Sequence, residues 1–177
     1  MLEGKKARRV AILGGNRIPF ARSNSAYSDV SNQQMLVAAI DGLAERFNLV
    51  GAHIDEVAGG AVMKHSRDWN LVRESVLDSK LSNDSPANDL QQACGTGLQS
   101  AIQIANKIAL GQIECGISCG VDTTSDAPLG VNDKMRRVFM QINRAKTNGE
   151  KAKLALKLLN PKFLVPDIPK NAEPHTG

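Results

Sequence analysis

The sequence predicts an α/β layered fold, with strands and helices alternating around a sheet. Two observations carry this. Short β-rich runs recur at residues 9–13, 54–62, 86–90 and 115–122, and the segments between them show helical apolar spacing. The alternation ends near residue 125, where the sequence becomes irregular, basic and proline-punctuated. Two regions follow from that change, an α/β domain over residues 1–125 and a partial basic region over 126–177.

Arg9-Val10-Ala11-Ile12-Leu13 ends at Gly14-Gly15 and reads as a buried first strand. A dinucleotide fingerprint fails here: Gly14-Gly15-Asn16-Arg17-Ile18-Pro19 does not supply Gly-x-Gly-x-x-Gly, and Pro19 sits where a helix would continue. Ser31-Asn32-Gln33-Gln34 is a capping box that opens a helix, with Met35, Leu36, Ala39, Ile40, Leu43 and Phe47 as its apolar stripe. Asn48 and Gly51 mark its end. Residues 54–62 read as the second strand, its glycines marking a bulge or a close backbone approach. A loop with His65 and a helix over about residues 69–77 come next. His53 and His65 have no partnered motif and read as loop or surface histidines.

Pro86 starts a short strand that leads into Gln91-Gln92-Ala93-Cys94-Gly95-Thr96-Gly97-Leu98-Gln99-Ser100. Leu98, Ala101, Ile102, Ala105, Ile108 and Ala109 recur on one helical face, which predicts a buried helix. Gly95 and Gly97 permit a tight turn, so Cys94 sits at or just before the first helical turn. Free N–H groups and the positive dipole end favour a thiolate there, and the same donors suit an oxyanion formed when sulfur attacks a carbonyl. From these residues two readings stay open: a nucleophile turn, or a buried structural cysteine beside a Gly-rich turn. Gly111 stops the helix, and residues 115–122 read as another strand.

Composition narrows the classes. Of the 177 residues, 42% are apolar and 23% charged, ordinary globular values that exclude a disordered chain. No apolar run reaches membrane-span length, and Met1-Leu2-Glu3-Gly4-Lys5-Lys6 lacks a signal-peptide apolar region, so a cytoplasmic protein is expected. Three cysteines, an odd number, argue against a disulfide framework. Cys115 and Cys119 on one strand would stand about 13 Å apart, too far to bridge, and lack the second ligand pair of a zinc site. The net charge of +4 hides an asymmetry: ten Lys or Arg face two acids between Lys134 and Lys170. Such a block attracts nucleic acid, acidic lipid or a phosphorylated small molecule. Nucleic acid is the weakest of these, since aromatics are few and no helix-turn-helix or zinc spacing occurs.

Cys94-Gly95-Thr96-Gly97-Leu98-Gln99-Ser100 resembles the nucleophile turn of the thiolases, whose cysteine is followed by a small residue, Ser or Thr, Gly, Leu or Phe, Gln and Ala or Ser. Ketosynthases share the fold, but their turn continues Ala-Thr-Ser. Three further stretches extend the likeness. Arg17-Ile18-Pro19-Phe20-Ala21-Arg22 resembles the family's Arg-Thr-Pro-Phe stretch, and residues 54–60 its Ile-Asp-x-Val-x-x-Gly segment. Cys119-Gly120-Val121-Asp122-Thr123-Thr124-Ser125 is similar to Gly-Gly-x-Glu-Ser-Met-Ser, with Asp122 keeping the carboxylate one methylene shorter and supporting the neighbouring turn. Residues 137–147 resemble most the fatty-acid-oxidation β-subunit branch, sometimes associated with a multifunctional α-subunit.

The resemblance implies the N-terminal half of a thiolase-like layered fold, βαβαβαββ with a mixed sheet and helices on both faces, plus part of the loop domain that covers CoA. It implies acyl transfer through a thioester on Cys94, with Claisen condensation or thiolysis of 3-ketoacyl-CoA. Coenzyme A thioesters are then the substrates, with no metal or redox cofactor. The strand before the turn pairs with its copy in the family, which implies a homodimer or a dimer of dimers. Family members continue into a second half carrying a Gly-His-Pro histidine and a Cys-x-Gly cysteine. Here His175-Thr176-Gly177 is not Gly-His-Pro, and Cys115 and Cys119 lack the second context. The expectation is a truncated chain, inactive alone. Two alternatives remain: a non-catalytic dimerising half-fold, and a basic nucleic-acid-binding domain marked by salt-dependent affinity.

Overall fold

The computed structural model describes residues 7–126 and 131–161, which fall in two compact units, Met1–Ala127 and Pro128–Gly177. Unit 1 is a layered α/β structure. Its elements run α1 (Asn32–Arg46), β1 (Val57–Gly59), α2 (Leu71–Asp78), β2 (Ala87–Asp89), α3 (Thr96–Ala109) and β3 (Ile117–Ser118). The three strands form a parallel sheet in the order β2-β1-β3, with Val57 opposite both Ala87 and Ile117. One crossover steps from β1 through α2 to β2, and the next steps back across β1 through α3 to β3. Right-handed crossovers in opposite directions put α2 and α3 on opposite faces. α1 packs against α2.

Several elements arise where local chemistry dictates. The Ser31 hydroxyl accepts the Gln34 N–H at 3.2 Å while the Ser31 N–H donates to Gln34 Oε1 at 2.9 Å, closing the capping box at the start of α1. Asn48 and Gly51 adopt positive φ just beyond its end, and Gly111 does so beyond α3. The main core lies between the α1–α2 layer and the sheet: Leu36, Ile40 and Ala44 meet Val57, Leu71, Val72, Val76 and Ile117. The strands are shorter than the β-rich runs suggested, because ladder hydrogen bonds persist only where neighbouring strands overlap.

Two expectations are corrected. Residues 9–13 form no strand and pair with none among the described residues, and Ile12 and Leu13 are about nine-tenths exposed. The flanks of this segment are pinned apart. The Arg8 N–H reaches Ala109 O at 2.9 Å and its guanidinium Glu114, while Arg46 holds Gly15 O and Asn16 holds Ala39 O. β-propensity supplies a preference, whereas a ladder needs an adjacent edge.

The second correction concerns α3. Its buried residues are Thr96, Ser100 and Ile104, whereas Leu98 and Ile102 from the expected core stripe are exposed. Polar partners turn the helix this way. Glu56, just before β1, is buried and accepts hydrogen bonds from Asn88 (2.6 Å) and Gln103 (2.9 Å) and pairs with Lys107. Both α3 members of that cluster lie on the sheet side, along with Ile104, which packs at Gly116. Accordingly, Ile104→Ala is expected to cost about 2–4 kcal/mol in urea unfolding. Ile102→Ala should cost less than about 1 kcal/mol. Reversed magnitudes would restore the stripe as the core face.

Unit 2 holds α4 (Asp133–Arg144), α5 (Asn148–Ala155) and a 3₁₀ segment, Leu156–Leu159. Asn132 caps α4 through the Met135 N–H, and Thr147 caps α5 through the Glu150 N–H. Val138 is buried, while the Lys and Arg side chains of α4 face solvent with Phe139 and Met140 half-exposed. The tail from residue 162, including Pro166, Pro169, Pro174 and His175, lies outside the described residues.

Candidate active site

The carboxyl ends of parallel strands are where such sheets place ligands, because the crossing helices begin there with unpaired N–H groups. Gly59, Asp89 and Ser118 end β1, β2 and β3 on that side. The Leu90 N–H donates to Gly59 O at 2.8 Å, extending the pairing by one residue. A side chain at Gly60 would overlap the Leu90 carbonyl oxygen and press on the Thr96 methyl, so only glycine lets the two chains come together. The chain then turns sharply through residues 91–95 into α3.

This turn is strained. Ala93 holds φ +45°, a left-handed conformation costly for a residue with a Cβ. The Gly95 N–H donates to Gln92 O (2.9 Å) and the Thr96 N–H to Ala93 O (3.1 Å). The Thr96 hydroxyl accepts the Gln92 N–H and donates to Ala93 O, both at 2.8 Å. Cys94 projects from this elbow as an exposed free thiol, one residue before the Gly95 N-cap. No acidic side chain occupies the first turn of α3, so the positive end of its dipole is left to whatever negative charge forms at Cys94. Of the two readings of Cys94, its exposure here supports the nucleophile turn over a buried structural thiol.

Asp122 bears on the turn at one remove. Its carboxylate accepts the N–H groups of Val62 and Met63 at 2.9–3.0 Å, fixing the loop after β1. The Val62 carbonyl in turn accepts from Gln91 Nε2 at 3.2 Å, the first residue of the turn. Asp122→Ala is expected to cost about 1.5 kcal/mol, the lower end for hydrogen bonds to a charged group because this carboxylate is exposed. Faster amide exchange at Val62 and Met63 would be its local signature; unchanged exchange would dismiss the support.

The other cysteines differ from Cys94. Burial, with a smaller push from the Asp89 charge, raises the Cys119 thiol to about 12, so it stays protonated at neutral pH. Its Sγ–H points to Ala58 O at 3.5 Å. Cys115 is exposed, and its N–H joins that of Glu114 on the Asp55 carboxylate. Those two backbone donors, foremost the Glu114 N–H, hold Asp55 below the usual carboxylate range. His53 lies 3.9 Å from Asp55, and His65 Nε2 lies 3.1 Å from Asp126, which also pairs with Arg67. Neither histidine is bonded to Cys94.

Sequence reasoning missed the Lys64–Asp89 pair and the Thr96 clasp. Asp89, at the end of β2, accepts the Val72 N–H at 2.9 Å and lies 3.7 Å from Lys64, with burial pushing its carboxyl up. It caps α2 from seventeen residues downstream, where Asn70 gives no side-chain cap. No local signal announces a cap from that distance. Thr96 was legible as the third residue of the turn motif, but its two hydrogen bonds were not.

A cavity of about 900 Å³ lies elsewhere, lined by Asp29, Ser31, Gln34, Asp41, Arg67 and Asp126 among others, and includes no residue of the Cys94 turn. Among the described residues no group of three or more His, Cys, Asp or Glu is arranged to hold a metal, and no helix is long and apolar enough to cross a membrane.

Comparison with known proteins places this geometry. Residues 10–159 match the family model described as thiolase, N-terminal domain. A 3-ketoacyl-CoA thiolase of Photorhabdus laumondii is 34% identical over 169 residues, covering 96% of this chain and 38% of the relative. One from Shewanella baltica is 34% identical over 172 residues, covering 97% and 39%. The chain thus spans well under half the length of these relatives. Among solved structures, the Bacillus anthracis acetyl-CoA acetyltransferase superposes with a TM-score of 0.59 over 63% of this chain and 28% of that one, at 21% identity, a likeness of fold.

Proposed function

The chain belongs to the thiolase family through its N-terminal domain, and from that premise we propose that it is the nucleophile-bearing part of an acyltransferase acting on CoA thioesters. The observation that carries this is Cys94, an exposed thiol on a strained elbow at the start of α3. Its thiolate attacks the carbonyl of an acyl-CoA, or the C3 carbonyl of a 3-ketoacyl-CoA. Negative charge moves to the carbonyl oxygen in a tetrahedral intermediate, where the N–H groups opening α3 are suited to receive it. Collapse leaves the acyl group on Cys94 and expels the CoA thiolate, or in the cleavage direction breaks the C2–C3 bond and expels the enolate of acetyl-CoA, which takes up a proton at C2. Thiolysis ends when a second CoA thiolate attacks the thioester carbonyl and restores Cys94.

No described side chain is bonded to the Cys94 sulfur to act as its base. Full turnover is accordingly proposed for a protein that also contains a base and a proton carrier for the substrate α-carbon, with the 177-residue chain inactive by itself. Unit 2, with α4 and α5 exposing Lys and Arg, supplies a basic region suited to the phosphates of CoA. Among the described residues β2 pairs with β1 on one side only, and the proposed homodimer, or dimer of dimers, pairs this open edge with its copy. Association with a fatty-acid-oxidation α-subunit rests on the likeness of residues 137–147 to that branch. Three free thiols suit a reducing cytoplasm.

The test is to incubate the intact protein with acetyl-CoA or acetoacetyl-CoA, digest it and locate the thioester by mass spectrometry. An adduct on Cys94 supports the reading, and one confined to Cys115 removes it. A stable dimer that never labels would favour a non-catalytic pairing module.

A further inference from the structure

We propose that Thr96 is a positioning residue for Cys94: its side-chain hydroxyl, by bonding both Gln92 N–H and Ala93 O, holds the strained elbow that presents the sulfur at the start of α3. The proposal deepens the acyltransfer reading and rests on it for its consequence, though not for its test.

The argument begins with strain. A left-handed conformation crowds the Cβ of Ala93 and persists only where neighbouring bonds over-determine it. The two backbone bonds of the turn, Gly95 N–H to Gln92 O and Thr96 N–H to Ala93 O, are of the ordinary kind at a helix entrance. The added constraint comes from one oxygen. Thr96 Oγ1 accepts from Gln92, on one side of Ala93, and donates to the carbonyl on the other side, each at 2.8 Å. It therefore ties the peptide group that follows the strained residue to the one that precedes Gln92, closing the turn around Ala93.

Thr96 divides this task from packing. Its methyl faces Gly60, at the end of β1, while its hydroxyl faces the turn, and the residue is buried. Serine keeps the clasp without the methyl, whereas valine keeps the shape without the clasp. Without it, Ala93 can relax and carry the next residue, Cys94, away from the N–H groups of the first turn.

The chain contains its own references, since Cys115 is exposed and remote in sequence while Cys119 is a part-buried thiol held protonated by its surroundings. Limiting iodoacetamide at pH 7 followed by peptide mass spectrometry measures all three. Thr96→Val is expected to lower the Cys94-to-Cys115 labelling ratio about tenfold, the equivalent of one or two ordinary hydrogen bonds. Thr96→Ser should stay within about twofold of the parent, with Cys119 protected in both. An unchanged ratio in Thr96→Val, or an equal loss in Thr96→Ser, overturns the proposal. Should Thr96→Val unfold and expose Cys119, amide exchange in the parent decides: a protected Gln92 N–H supports the clasp and a freely exchanging one removes it. Absence of an acyl adduct on parental Cys94 would instead defeat the acyltransfer reading and leave this comparison intact.

Discussion

Cys94→Ala is expected to abolish the thioester adduct and to reduce thiolysis by the intact enzyme on the order of 10⁴-fold or more, as removal of a covalent nucleophile does elsewhere. The same substitution should leave the fold nearly untouched, within about 0.5 kcal/mol, because the side chain is exposed and has no partner to orphan. That combination separates chemistry from stability. The remaining thiols make poor substitutes. Cys119 is held protonated by burial, and Cys115 sits before β3 on a loop tied to Asp55, not at a helix entrance. Measuring adduct mass and thermal midpoint on one sample checks both halves of the prediction. Residual labelling at Cys115 at the parental rate would move the nucleophile off the elbow.

Glu56→Ala is the second large effect, expected to destabilise unit 1 by about 2–4 kcal/mol at neutral pH, because it strands buried donors and a half-buried ammonium. Asn88, Gln103 and Lys107 all converge on this carboxylate. Burial alone would raise the Glu56 pKa, but the hydrogen bonds from Lys107, Gln103 and Asn88 outweigh it, and the net shift is downward. A lowered folded pKa fixes the sign of the pH dependence. The contribution is complete above the ordinary glutamate range and is lost as pH falls through the folded value, where the unfolded chain binds the proton first. Urea midpoints of Glu56→Gln and parent should therefore converge as pH drops below the carboxylate range. Asp55 is shifted the same way and titrates in the same window, so the comparison is between variant and parent rather than between pH values alone. A gap that widens on acidification would contradict the assignment.

These two residues differ in how far they could be read beforehand. Cys94 sits in a contiguous pattern, and a turn that must bring a strand into a helix within five residues leaves few choices of residue. Glu56 gave no such sign. Its partners lie 32, 47 and 51 residues away, and only the packing of α3 against β1, with Asn88 contributed by the neighbouring β2, assembles them.

The sequence by itself determined what nearest neighbours can enforce: the Ser31–Gln34 box that starts α1, the glycines that end α1 and α3, the short strand after Pro86, and the elbow that puts Cys94 before a helix. Tertiary structure alone decided which side of α3 meets the sheet, that residues 9–13 go unpaired, and that Asp89 caps a helix preceding it in the chain. The physical reason is one of range. Caps and turns are settled by torsions and hydrogen bonds within a few residues, whereas burial and strand pairing depend on which distant surface arrives. At α3 the polar cluster around Glu56 outweighed a longer apolar stripe, a contest that periodicity cannot see.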